Sequence, residues 1–405
     1  MTLAEVPLLV LLVGLVAYAV LAGADFGAGF WQMTPGRGER EASIREHARK
    51  AITPVWEANH VWLILVITVC WTCYPEAFAA IASTLAVPLT IAMLGIVLRA
   101  VAYVLRGQTR SVGAQRPVEM LFGVSSIVTP FALAAAIGGV ASGRVPPGNA
   151  RGDLVTSWLN GTSIAVGILA VVMTVYVAAV WLAADAARLD RPALVEAFRL
   201  RALVAAIVAG AVAFGSLIVV KYDAERLWSG LSSWPAVAAI AVSGLAGAAA
   251  IGLLATRRLE PARAVSVVAV AAVIAGWALA QRPEFLPGVT IAEAAAGRAT
   301  LVAVLIGLAV GSLILIPSLA LLFRLVLRGT FDAGAQSGER ALPGHGSPLG
   351  DAGRAPALCL VGLAAGALTL VVGDQAWSIA VGAALLLVAG ACGFAVVARS
   401  LAAEV

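Results

Sequence analysis

The 405-residue chain is far more apolar than a soluble protein of its length. Hydrophobic residues make up 61% of it and charged residues 12%, whereas about a quarter of the residues in soluble domains are charged. This balance excludes a soluble globular enzyme and predicts an integral membrane protein. The formal net charge of +5 does not indicate nucleic-acid binding, because excess Lys and Arg in a membrane protein mark cytoplasmic loops.

Apolar runs long enough to cross a bilayer recur along nearly the whole chain. A hydrocarbon core about 30 Å thick needs roughly 20 apolar residues per helical span. The first run, Val6 to Leu21, has no basic region before it and no clear cleavage site after it, so we expect it to stay as a helix. Nine spans are predicted in the main body, at about 6–30, 54–74, 77–105, 118–142, 157–184, 197–220, 234–255, 264–281 and 299–327.

Two more spans are predicted after the main body, near 357–372 and 377–398. They follow a stretch, 329–356, whose Gly, Ala, Ser and charged residues are typical of a solvated linker. The predicted fold is therefore an all-α polytopic transmembrane bundle in residues 1–328, a cytoplasmic linker at 329–356 and an appended helical hairpin at 357–398.

The basic residues predict how the chain crosses the membrane. If the N-terminus is outside, 20 of the 27 Lys and Arg residues fall in inner segments, 6 fall in outer segments, and Arg99 lies within a span. Because short cytoplasmic loops are enriched in Lys and Arg, we expect the linker and the C-terminus in the cytoplasm. The charged segment from Arg37 to Lys50 fits either an amphipathic helix on the inner membrane surface or a simple connector.

Three charged residues lie inside predicted spans: Asp25, Glu57 and Arg99. A charge at the centre of a span costs about 2.5–3.5 kcal/mol on insertion scales, so charges there are kept when they are paired or used. With a helical rise of about 1.5 Å per residue, Glu57 and Arg99 each lie roughly 10 Å inside the cytoplasmic edge. Asp25 lies near the inner end of the first span, so three antiparallel helices place all three charges in one layer.

Two interpretations of this layer stay open. In the first, Arg99 forms a structural salt bridge with one carboxylate, which lets three helices pack. In the second, two acids against one base leave a carboxylate that stays protonated or titrates, as a proton relay from the cytoplasm requires.

The histidines do not indicate a haem site. His60 lies one turn beyond Glu57 on the same helix face, where it fits a hydrogen-bonding or proton-transfer role better than haem ligation. His47 and His345 lie in polar segments, so no buried histidine pair is available for a bis-histidine haem.

The cysteines carry a weak signal. Cys70 and Cys73 form a C-x-x-C motif, but the next residue is Tyr74 and not His, so covalent haem attachment is not indicated. The two thiols fit either a strained disulfide or merely small membrane residues, and Cys359 and Cys392 show no pairing signal. The sequence has no Walker loop, dinucleotide glycine fingerprint or zinc-ligand cluster.

Two longer motifs resemble subunit II of the cytochrome bd quinol oxidases. The first is AYAVLAGADFGAG at 17–29, and the second is PVWEANHVWL at 54–63. Shorter matches are Leu98-Arg99, Pro287-Gly288-Val289-Thr290 and Ile316-Pro317-Ser318-Leu319. The resemblance covers about residues 1–328.

The resemblance implies a scaffold subunit of a quinol:oxygen oxidoreductase in the bacterial inner membrane, paired with subunit I as a heterodimer. In that family haems b and d and the quinol-oxidising loop belong to subunit I, so no catalytic residue or metal ligand is expected here. Asp25 and Glu57 match acidic positions in a proton route from the cytoplasm towards the oxygen site. We expect His60 to join this route and Arg99 to be the structural charge partner. A structural quinone and a small accessory subunit are left open.

Two features depart from the family pattern. Some members carry a second carboxylate a few residues before the position of Asp25, where Ala22 and Gly23 stand here, so the route depends more heavily on Glu57. The appendage after Gly329 lies outside the pattern. The alternative function is a proton-coupled secondary transporter, which also uses intramembrane carboxylates but is typically built from internal repeats and broken helices that this sequence does not clearly show.

Overall fold

The computed structural model describes residues 2–34, 38–50, 53–106 and 112–327, with isolated positions between 361 and 388. Side chains are not described at 53–58, 106, 112–117 and 322–327. The chain divides into two units, Met1–Arg324 and Leu325–Val405. The predicted linker and nearly all of the appended hairpin lie outside the described residues, so both stay predictions.

The first unit is built of helices, with one short antiparallel hairpin. The helices are α1 (Val6–Met33), α2 (Glu39–Lys50), α3 (Thr53–Cys73), α4 (Pro75–Thr84), α5 (Ala86–Arg106), α6 (Val112–Ala141), α7 (Gly161–Arg188), α8 (Pro192–Asp223), α9 (Glu225–Leu231), α10 (Trp234–Ala255), α11 (Leu259–Gln281), α12 (Ile291–Ala294) and α13 (Arg298–Leu327). The strands are β1 (Glu284–Leu286) and β2 (Val289–Thr290).

Eight of the described helices are long and apolar enough to cross a membrane: α1, α5, α6, α7, α8, α10, α11 and α13. The bent pair α3 and α4 makes a ninth if it is counted as one span. The prediction of an all-α transmembrane bundle with about nine spans is therefore confirmed.

The predicted third span, 77–105, is wrong at its start. Its first residues belong to α4, which is bent by 120° from α3, and the crossing helix α5 begins only at Ala86. Pro75 has no N–H and disfavours the helical conformation of the preceding residue, so α3 ends at Cys73, and Tyr74 has φ −137° and ψ 60°. This break lies roughly 25 Å along the helix from Glu57, so it does not reach the predicted charge layer.

Other span ends differ from prediction by a few residues. The helix α7 begins at Gly161 rather than 157, because the Asn160 side chain accepts a hydrogen bond from Ser163 N at 2.9 Å and caps the helix. Conversely, α8 and α11 begin at Pro192 and Leu259, before the predicted 197 and 264. Hydropathy marks the apolar part of a helix, whereas the helix itself continues into polar residues.

The helix α7 lies in the main core, together with α1, α8 and α11. Its buried residues from Thr174 to Ala186 are mostly Val and Ala, and a Cβ on Gly27 of α1 would overlap the backbone of Thr174. Small residues let membrane helices approach this closely. The segment Glu39–Lys50 is a helix, as the first of its two interpretations requires, and it buries Ile44 and Ala48 in the same core.

Short segments join the helices at the end of α3 that lies away from Glu57. The motif Pro287-Gly288 forms the turn between β1 and β2, where Gly288 has the φ of +76° that favours glycine. Tyr74 Oη donates to Ala4 O at 2.6 Å, and Ala296 N donates to Cys73 O at 2.8 Å. Cys70 and Cys73 are both free thiols, so the strained disulfide is not formed.

Candidate functional site

Four helices bring polar side chains together in the apolar interior. Asp25 comes from α1, Asn59 from α3, Arg99 from α5 and Ser126 from α6, and each is at most 1% exposed. We call this group the Asp25 site. Charged and polar groups are costly in such surroundings unless they satisfy one another, so their contacts decide whether the helices can pack.

The contacts of the Asp25 site form a connected network. Arg99 Nη2 donates to Asp25 Oδ1 and, at 2.9 Å, to Asp25 O. Arg99 Nη1 donates to Ser126 Oγ, and Asn59 Nδ2 donates to Asp25 Oδ2 at 3.0 Å. Both carboxylate oxygens are therefore engaged, one by a cation and one by a neutral amide.

The guanidinium of Arg99 also lies against aromatic rings. Its Cζ is 4.0 Å from the ring centroid of Phe122 and 4.9 Å from that of Phe26, which are cation–π distances. A Cβ on Gly29 would overlap Ser126 and lie 2.9 Å from Arg99 Nη1. Glycine at this position of the first motif thus gives the guanidinium room to reach Asp25.

Several buried polar atoms around the site have no hydrogen-bond partner among the described residues. They are Asn59 Oδ1, Arg99 Nε, Tyr18 Oη and Trp62 Nε1. Tyr18 lies two turns before Asp25 on α1, and Trp62 packs against the apolar cluster that contains Tyr18 and Phe26. A buried polar atom without a partner costs about 1–3 kcal/mol, so these atoms indicate further polar contacts, to water or to another chain.

Of the predicted residues, the structure brings Asp25 and Arg99 together as a buried ion pair. This is the contact that the salt-bridge interpretation requires. Glu57 lies in α3 two residues before Asn59, and its side chain is outside the described residues. His60 follows Asn59 directly and is half-buried.

Sequence reasoning did not single out Asn59 or Ser126. Asn59 stands within the second motif, and an amide inside an apolar run is a usable signal because it needs a partner there. Ser126 gave little signal, since a serine in a membrane helix often bonds only its own backbone. Here Ser126 Oγ does donate to Phe122 O at 2.5 Å, while it also accepts from Arg99.

His47 is engaged by two groups of α7. His47 Nε2 lies 3.0 Å from Leu182 O and 3.8 Å from Asp185 Oδ2, which fixes α2 to α7. Burial lowers the pKa of the His47 imidazole, against the opposing effects of the Leu182 carbonyl and the Asp185 carboxylate. In the part of the chain that the structure describes, no group of three or more His, Cys, Asp or Glu residues is placed to hold a metal ion.

The chain resembles known membrane proteins in sequence. Residues 3–326 match the family described as cytochrome bd terminal oxidase subunit II. The cytochrome bd ubiquinol oxidase subunit 2 of Bacillus subtilis (strain 168) is 28% identical over 118 residues, which is 29% of this chain and 34% of that protein. The cytochrome bd-I ubiquinol oxidase subunit 2 of Escherichia coli (strain K12) is 27% identical over 135 residues, which is 33% of this chain. The aligned part of the chain thus spans about a third of the length of either relative, 34% and 35%.

The fold also matches a solved structure. A chain in the structure of bd oxidase from Geobacillus thermodenitrificans superimposes with a TM-score of 0.63 at 24% sequence identity, covering 81% of this chain and 99% of that one. The family match extends over most of the chain and includes the residues that form the Asp25 site. The chain therefore belongs to the cytochrome bd terminal oxidase subunit II family.

Proposed function

We propose that this chain is subunit II of a bd-type quinol:oxygen oxidoreductase in the bacterial cytoplasmic membrane. It scaffolds a haem-bearing subunit I and contributes a proton route from the cytoplasm for the reduction of dioxygen to water. The observation that carries this proposal is the Asp25 site, in which the two family motifs meet through Asp25 and Asn59. Forming water from dioxygen consumes protons, and a polar site inside an apolar bundle is what a proton path to a buried oxygen site needs.

The residues of the layer take different parts in this route. Asp25 accepts hydrogen bonds on both oxygens, so a proton arriving there would have to displace Arg99 or Asn59. We infer that Asp25 and Arg99 are the fixed charges that define the path. Glu57 and His60, on the same face of α3, then transfer the proton.

The polar atoms of Tyr18 and Trp62 extend the proposed proton route beyond Asp25. They lie on the side of Asp25 away from the predicted cytoplasmic end, because Tyr18 precedes Asp25 on α1 and Trp62 follows Asn59 on α3. Water bound to Tyr18 Oη and Trp62 Nε1 would extend the hydrogen-bonded path beyond the Asp25 site.

The exposed face of α13 supports the proposal that a partner subunit binds this chain. Only 6% of its most apolar stretch is buried by the described residues, against 56% for α6. Gly307 and Gly311 have the G-x-x-x-G spacing of close helix packing, and an added Cβ on either would meet no atom of the described structure within 4 Å. We infer that a helix of subunit I packs against this face of α13.

The haem content of the purified protein tests the proposed function. Expressed alone, the chain is expected to carry no stoichiometric haem in a pyridine-haemochrome assay, because its sequence has no second histidine within a predicted span. Co-expressed with subunit I, it should purify in a complex that shows the visible absorption of the bd haems. One haem per isolated chain would contradict the scaffold role, and a haem-free complex would favour the transporter.

The orientation is proposed from the loop charges, with the N-terminus outside and the C-terminus in the cytoplasm. A green fluorescent reporter fused after Gly338 or at the C-terminus should therefore fluoresce, and alkaline phosphatase at the same places should be inactive. A phosphatase fusion after Ser232, in the predicted outer loop between α9 and α10, is the control and should be active. The reverse pattern would contradict the proposed topology.

A further inference from the structure

A groove opens between α8, α9 and α10, towards the C-terminal end of α8. Its cavity volume is about 240 Å³, and it is lined by Leu217, Trp228, Leu231, Ser232, Val237 and Ile240. Five of these six side chains are apolar or aromatic, so the groove suits a hydrocarbon chain. It lies away from the Asp25 site, which is built from α1, α3, α5 and α6.

A lysine stands at the rim of this groove. Lys221 follows Leu217 by one turn of α8, and its Nζ lies 5.8 Å from the ring centroid of Trp228, which lines the groove, and 5.7 Å from that of Tyr222. Within the described residues, no carboxylate forms an ion pair with it. Of the acids in this region, Asp223 binds Arg144 and Glu284 binds Arg226. Glu225, four residues after Lys221, is exposed and forms no ion pair with it in the described structure.

The surroundings of the groove are those of a membrane interface. Tyr222 and Trp234 are each 80% exposed, and aromatic side chains of this kind concentrate at the level of the lipid headgroups. On the proposed orientation this is the outer interface, where basic residues are scarce. A lysine there, beside an aromatic residue of the groove and in no ion pair with a described carboxylate, has the chemistry of a headgroup contact.

We propose that the groove binds one acyl chain of an anionic phospholipid of the outer leaflet, with the Lys221 ammonium on its headgroup phosphate. The assignment to the outer leaflet rests on the proposed orientation, whereas lipid binding itself does not depend on the proposed oxidoreductase function. A quinone would also place an apolar tail in the groove, but it carries no charge to complement Lys221. The anionic lipid uses both features of the site, the apolar lining and a lysine that no described carboxylate pairs with.

The test is lipid binding by the purified full-length chain in the complex in which it is expressed. Delipidated complex is titrated with phosphatidylglycerol or with phosphatidylethanolamine in mixed micelles, and bound lipid is counted by native mass spectrometry. One basic residue near a lipid surface contributes on the order of fivefold in affinity, so Lys221→Gln should weaken phosphatidylglycerol binding by about fivefold. Lys221→Arg keeps the charge and should bind as the unchanged protein does.

Two further variants separate this site from general effects. Arg151→Gln removes another exposed outer-side cation, which does not line the groove, and should leave binding unchanged. Val237→Trp fills the groove without altering charge and should abolish the specific binding. Equal binding by Lys221→Gln and the unchanged protein would overturn the proposal. So would equal affinity for the two lipids, or a quinone that is lost from Val237→Trp while phosphatidylglycerol stays bound.

Discussion

Replacing Arg99 by Gln is expected to remove most of the assembled protein from the membrane. The guanidinium makes three hydrogen bonds to Asp25 and Ser126, and both ends of the ion pair are about 1% exposed. Without it, the Asp25 carboxylate loses its cation and keeps the hydrogen bond from the Asn59 amide in an apolar interior. Breaking a buried pair in this way costs about 3–5 kcal/mol, which is a large part of a typical folding free energy. Immunoblots of membranes and thermal stability in detergent measure the loss.

A second variant distinguishes charge from shape. The double variant Asp25→Asn/Arg99→Gln contains no buried charge, so it should recover much of the stability that Arg99→Gln alone loses. Arg144→Gln is the matched control, because Arg144 makes a two-point ion pair with Asp223 but is about a third exposed. It should cost far less. Normal assembly of Arg99→Gln would show that the pair does not hold the bundle together.

The charge layer could be predicted from the sequence because a charge inside an apolar run is expensive and therefore informative. Helical rise alone set Asp25 and Arg99 at one depth, and the structure joins them. The rest of the network was not predictable in the same way. Ser126 costs little to bury, and the room that Gly29 leaves for the guanidinium depends on which helices touch.

The helix breaks could not be predicted from hydropathy, for a different reason. Residues 77–105 are apolar across Leu85, so hydropathy continues through the break between α4 and α5. Only Pro75 and Pro88 signalled a change of direction, and prolines in the first turn of a helix are equally compatible with a straight span. Hydropathy also cannot distinguish a helix that faces lipid from one that packs against a partner subunit. The exposed face of α13 could therefore be identified only from the structure.

Replacing Glu57 by Gln is expected to lower oxygen consumption per assembled haem by about a hundredfold, which is the lower end of the usual effect of losing a proton-transfer group. Gln keeps the volume and hydrogen-bonding shape of the side chain but carries no titratable proton. The ion pair of Arg99 is with Asp25, so neutralising Glu57 leaves that pair intact and the complex should still assemble. With Ala22 and Gly23 beside Asp25, the first motif supplies no spare carboxylate to replace Glu57.

The measurement is oxygen uptake with excess quinol, divided by the haem content of the same purified complex. Glu57→Asp keeps a carboxyl group and should retain part of the rate. Glu76→Gln, which neutralises an exposed acid on α4, should retain all of it. Full turnover by an assembled Glu57→Gln complex would refute the relay and leave this chain a scaffold. Poor assembly with a normal rate per haem would assign Glu57 a structural part instead, because the few complexes that form would still conduct protons without its carboxyl group.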